Sequence, residues 1–190
     1  GGAVSLLGYS NDWVSTDQIP RRAVNSGLIS RLGFIDPTDG YSVSAQFEHA
    51  GLWGDVEFNQ FLASGEYYIP LYEDSDERVH VLRIDARVGW MEEFGDSTDV
   101  PVFERFFLGG AGSLRGFRFR GVGPHEKDTP VGGKALWTAG AEYAYPLFGD
   151  SSPGSPSLRG VFFMDAGSLA PSWDDDSISD VRVAVGFGLR

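Results

Sequence analysis

The 190 residues contain no cysteine and only two lysines, Lys127 and Lys134. Without a thiol there is no disulfide framework, no zinc–thiolate site and no cysteine nucleophile. No stretch approaches the ~18 to 20 consecutive apolar residues of a membrane-spanning helix, which leaves β-barrels untouched because their sequence signal is much weaker. The N-terminus, Gly1 to Tyr9, lacks a basic segment followed by an apolar run and does not read as a signal peptide. Helical spacing is scarce, and the 26 glycines and 10 prolines interrupt nearly every window. Basic charge is also short: 15 basic against 27 acidic residues give a net charge of −12, which argues against binding nucleic acid through phosphate neutralisation. What is present is apolar and aromatic side chain, 42% and 14% of the chain, enough to exclude a disordered tail.

Those apolar residues alternate. In 181–190, Val181, Val183, Val185, Phe187 and Leu189 share one face, and Arg182, Ala184, Gly186, Gly188 and Arg190 the other. In 80–90, Leu82, Ile84, Ala86, Val88 and Trp90 oppose Arg83, Asp85, Arg87 and Gly89. The same period of two runs through Tyr41–Phe47, Ala135–Leu147 and Leu158–Gly167, and more weakly through Ala3–Tyr9, Val24–Ile35 and Asp55–Ile69. This predicts about eight antiparallel strands, each with one apolar face and one small or charged face.

The connections alternate as well. Short ones are expected at Asp36–Gly40, Tyr72–Val79 and Phe148–Ser157, and long ones at Ser10–Arg22, Glu93–Gly133 and Leu169–Asp180, with a tight turn near Trp53-Gly54 on the long-loop side. Short turns at one end and long loops at the other are the pattern of a transmembrane barrel. A soluble β-sandwich alternates too. Against it, the polar faces carry Arg, Asp, Glu, Ser and Gly but almost no lysine, which suits a crowded, ion-paired lumen. Trp90, Trp137, Tyr143 and Tyr145 fall near strand ends on apolar faces, as an interfacial belt requires.

The loop between residues 93 and 134 is about 40 residues long, a length that is usually functional when ordered. It contains Phe106, Gly109, Gly110, Ser113, Leu114, Arg115, Gly116 and Phe117 in the arrangement F-x-x-G-G-x-x-S-L-R-G-F. A later strand carries Phe163, Asp165 and Gly167 as F-x-D-x-G, and between them Glu142-Tyr143-Ala144-Tyr145-Pro146-Leu147 is a glutamate-bearing strand ending in aromatic-Pro-Leu. In this order the motifs resemble the BamA/TamA-type outer-membrane assembly and translocation barrels, the bacterial surface antigen family, over Arg21–Arg190; the Pro37–Gly40 turn is similar as well.

The resemblance implies an all-β fold, an antiparallel transmembrane barrel of about sixteen strands. This segment would supply about eight of them, as one partial domain over 1–190 with its long loop folded into the lumen. It further implies that Arg115 pairs with lumen-wall carboxylates. Strand parity independently puts Glu142 and Asp165 on one face of neighbouring strands, where one guanidinium can bridge both. Expected partners are the outer-membrane lipid bilayer of a Gram-negative-type bacterium, unfolded outer-membrane or secreted client proteins, N-terminal POTRA modules and further barrel strands. An eight-stranded barrel has room only for its own side chains, so the segment is expected to be part of a larger barrel.

Neither a cofactor nor a metal is expected, nor an enzyme. Glu142 and Asp165 read as ion-pair partners rather than a catalytic pair, and His49, His80 and His125 lack metal-ligand spacing. The Gly109–Gly116 run lacks the Lys-Ser/Thr ending of a phosphate loop. Ser113 is read as a turn residue and Asp174-Asp175-Asp176 as a solvated loop. The alternatives are a passive porin-like or anchoring barrel, and a soluble β-sandwich binding module.

Overall fold

The structure, a computed structural model, describes residues 6–15, 39–51, 56–75, 78–148 and 158–190. The expected strand Val24–Ile35, most of the Pro37 turn, the Trp53-Gly54 turn and the connection after Phe148 lie outside the described residues.

Period-two sequence yields strands: β1 (Leu6–Ser15), β2 (Gly40–Ala50), β3 (Phe58–Glu73), β4 (Val79–Glu93), β5 (His125–Glu126), β6 (Thr129–Pro130), β7 (Ala135–Phe148), β8 (Leu158–Ala170) and β9 (Arg182–Leu189). Seven of them form one antiparallel sheet in the order β1-β2-β3-β4-β7-β8-β9, and β5 and β6 form a small hairpin within the long loop. Among the described residues the sheet is open, with β1 and β9 at its edges. One expectation is corrected here. Ser10–Ser15, expected to begin a long connection, continues β1, pairing residue by residue with Gln46 back to Tyr41, although Ser, Asn and Asp favour turns. Ladder pairing along β2 overrides that local preference.

Register keeps the two faces separate. Phe61, Tyr67, Ile84, Val88, Phe162, Met164, Val183, Val185 and Phe187 are all exposed on one face, with Phe187 83% exposed. The other face, against which the long loop lies, is the inner face. Near the short-turn end the outer face carries an aromatic band. Tyr72 stacks on His80 at 4.1 Å, Tyr143 lies 6.2 Å from Tyr145, and Tyr145 lies 5.6 Å from Phe162. The Tyr143 hydroxyl is hydrogen-bonded to His80 Nδ1 at 2.7 Å. At the opposite end Trp137 donates its indole N–H to the Ile178 carbonyl at 3.4 Å.

The inner face carries ion pairs but is not uniformly ionic. Near the loop end, Ala50, Phe58, Met91, Leu136 and Leu169 from the strands enclose Val100, Phe106, Leu108, Leu114 and Val122 from the loop in one buried apolar cluster. The loop therefore brings its own hydrophobic core, and burying it is what holds a segment this long against the wall.

Candidate functional site

The loop descends from the apolar cluster by a sequence of tight backbone turns. Phe106 and Gly133 exchange backbone hydrogen bonds of 3.0 Å in both directions, closing the two legs of the loop. Gly109 then adopts φ +111°, and a Cβ there would sit 2.4 Å from the Arg118 carbonyl oxygen, so no other residue fits. The Gly109 amide donates to Ser113 Oγ at 3.0 Å, and Gly110 and Leu114 are bridged by backbone hydrogen bonds of 3.1 and 3.2 Å. Leu114 is fully buried in the cluster. Ser113 is thus a turn residue, and Gly109–Leu114 make a rigid arm that delivers the next residue to the wall.

That residue is Arg115. Its Nε donates to Asp165 Oδ2 and its Nη2 to Asp165 Oδ1, both at 2.7 Å, a two-pronged contact. Its Nη1 donates to Glu142 Oε2, and its backbone amide reaches Asp165 Oδ2 at 3.3 Å. The guanidinium lies 3.8 Å above the Phe163 ring. The Asp165 hydrogen bonds lead the causes that raise the Arg115 guanidinium above its ordinary value; partial burial opposes them, and Glu142 adds to them. The two carboxylates come from adjacent strands, β7 and β8, and both are buried. Arg190, at the end of β9, adds a second contact to Glu142 at 3.4 Å. Gly116 turns the chain away at φ +85°, where a Cβ would lie 2.9 Å from that of Ala184 on β9. Phe117 packs back on the apolar cluster. Gly167 lets β8 approach β7 closely, since a Cβ there would sit 2.8 Å from the Trp137 carbonyl.

A cavity of about 460 Å³ lies between this arm and the wall, lined by Glu66, Arg83, Asp85, Arg87, Thr138 and Asp165 among others. Arg83 is tied to Asp85 at 2.7 Å. No group of three or more potential metal-ligating side chains occurs among the described residues. Asp175 caps the short 3-10 turn Asp176–Ser179, accepting from the Ser177 amide at 2.8 Å.

Sequence reasoning missed a second ionic group, at the mouth of the loop. Lys134 Nζ sits 2.9 and 3.0 Å from the Glu93 carboxylate oxygens and 3.2 Å from Asp99 Oδ1. Arg105 Nη2 takes the other Asp99 oxygen at 2.6 Å and donates Nε to the Val100 carbonyl at 2.8 Å. The signal was available: Glu93 and Lys134 bracket the loop in sequence, and Lys134 is one of the two lysines. Asp99 is half exposed, so this latch is screened. Lys134→Met is expected to lower stability by about 1 kcal/mol at low salt and by less in molar salt, read from thermal melts at two ionic strengths.

Comparison with known proteins decides the family. The Omp85 superfamily domain matches residues 33–190. The chain belongs to the Omp85 superfamily. It is 33% identical over 162 residues to the SAM50-like protein CG7639 of Drosophila melanogaster, covering 84% of this chain and 34% of that protein. The outer membrane protein assembly factor BamA of Neisseria meningitidis serogroup B is 28% identical over 75% of this chain and 18% of its own length. The mouse sorting and assembly machinery component 50 homolog is 33% identical, over 74% of this chain and 29% of its own length. This Omp85 segment therefore spans about a third or less of these relatives. In fold it matches the crystal structure of Haemophilus ducreyi BamA lacking POTRA domains 1–3, with a TM-score of 0.70 over 96% of this chain, 35% of that chain and 22% identity. The antiparallel sheet is thus a portion of a BamA-type barrel.

Proposed function

We propose that this segment is the loop-bearing wall of one outer-membrane barrel domain that assembles or translocates other proteins without covalent chemistry. The outer apolar face would meet lipid, the inner face would line a lumen, and the Arg115 loop would hold the wall in shape while client strands enter elsewhere in the barrel. The observation that carries the reading is the fold-back of a 40-residue-scale loop, about the length at which loops are functional, onto Asp165 and Glu142. The names of the BamA and sorting-machinery relatives support assembly as the activity. Those relatives come from bacteria and from animals, so the reading keeps the outer membrane and does not keep the bacterial source expected from sequence. Clients, POTRA modules and further barrel strands remain part of the proposal.

The test is depletion of the full-length protein in its own host, following insertion of newly made barrel proteins. The expected result is loss of their folded, protease-resistant forms, restored by the wild-type chain. Normal insertion accompanied by altered small-solute permeability would overturn assembly in favour of a passive pore.

A further inference from the structure

Phe163 and Gly186 face each other across the β8–β9 ladder. A Cβ at Gly186 would lie 2.5 Å from Phe163 Cζ and 2.7 Å from its Cε1, closer than any real Cβ contact. The ring therefore occupies the space a side chain on β9 would need, and the Arg115 guanidinium covers that same ring at 3.8 Å. The neighbouring glycine on the same face is different: a Cβ at Gly188 would meet Val161 at an ordinary 3.6 Å. Two further features bring the loop site to β9: a Cβ at Gly116 would lie 2.9 Å from that of Ala184, and Arg190, the residue after β9, donates to Glu142 at 3.4 Å.

We infer that Gly186 is a socket for Phe163 which positions Arg115, and that docking of the loop tip is thereby coupled to pairing of β9 with β8. Gly186 and Phe163 are positioning residues for the clamp. The inference rests on the proposed function in one respect: it gives that barrel a device by which the internal loop sets the hold of β8 on β9. Coupling is reciprocal. If an undocked loop loosens β9, then a distorted β9 must loosen the loop by the same factor.

The experiment is amide hydrogen exchange on the full-length protein in lipid nanodiscs, with client assembly scored in parallel. Arg115→Ala should raise exchange in 182–189 by on the order of tenfold, within the usual span of coupled sites, while leaving β2 and β3 unchanged. Gly186→Ala should raise exchange in 109–117 by a similar factor, and Gly188→Ala should do neither. Adding Phe163→Leu to Gly186→Ala should restore part of the protection, because the shorter side chain vacates the socket. In the Arg115→Ala background Gly186→Ala should add little to loop exchange, since the coupled contact is already gone. Unchanged β9 exchange in Arg115→Ala, or equal effects of Gly186→Ala and Gly188→Ala on the loop, would overturn the coupling. If exchange responds as stated but client assembly is normal in every variant, the coupling stands and the proposed function falls.

Discussion

Arg115→Ala is expected to have the largest effect of any single substitution in the loop. The side chains of Glu142 and Asp165 are only 6% and 10% exposed, so removing the guanidinium leaves buried Asp165 without its cation and Glu142 with only Arg190, at 3.4 Å. Stripping one partner from a buried pair costs ~3 to 5 kcal/mol. Arg115 itself is 24% exposed, which places the cost toward ~3 kcal/mol, because water can reach part of the site. The stack on Phe163 adds to the loss, on the order of 1 kcal/mol. Most of this penalty falls on loop docking, not on the sheet, whose ladders do not pass through Arg115. The expected result is a strand content equal to wild type by circular dichroism, together with faster tryptic cleavage at Arg118 and Arg120, both of which are exposed. Arg115→Lys should recover only part of the protection, since an ammonium cannot make the two-pronged contact to Asp165. Cleavage kinetics identical to wild type in Arg115→Ala would show that the contact does not hold the loop.

A charge on the outer face is the second large effect. Val185 lies on β9 opposite Met164, and the two are 76% and 53% exposed. If that face meets hydrocarbon, Val185→Arg should destabilise the folded barrel by ~2 to 4 kcal/mol near the midplane and by little near either rim. Equilibrium unfolding in lipid vesicles reads the change. A spin label at Val185 should report lipid contact, quenched by oxygen and shielded from aqueous relaxation agents. A water-exposed signal there would contradict the membrane topology as a whole.

Much of this was legible in residue order. Strict alternation in 80–90 and 181–190 fixed which side of each strand is apolar, because a one-residue slip would exchange the faces. The same parity put Glu142 and Asp165 on the loop-bearing face. Phe106 to Phe117 carried a resemblance specific enough to name a family, and that family holds. Less legible was anything set by tertiary context. Ser10–Ser15 has turn-forming side chains, yet continues a strand because β2 offers it a ladder. Met91, Leu136 and Leu169 share the inner face with the arginines, but nothing local distinguishes an apolar inner position that receives a loop from one that faces water; only the arrival of Phe106, Leu108 and Leu114 gives them a purpose. The Lys134 latch was visible only as two charges bracketing a loop, and its use of Asp99 and Arg105 depends on how residues 94–106 fold back. The Gly186 socket could not be read from sequence at all, since a glycine in a strand has several explanations and only the position of the Phe163 ring selects one.

The central claim is that the loop tip rests on the inner wall in the membrane. The direct measurement is the separation of the Arg115 guanidinium from the Asp165 and Glu142 carboxylates in an experimental structure of the full-length protein in lipid nanodiscs. The wild-type guanidinium is predicted to lie within hydrogen-bond distance of both carboxylates, with the two-pronged contact to Asp165 at 2.7 Å retained. A guanidinium beyond direct or single-water contact with Asp165, with the loop splayed outside the barrel, would contradict the account.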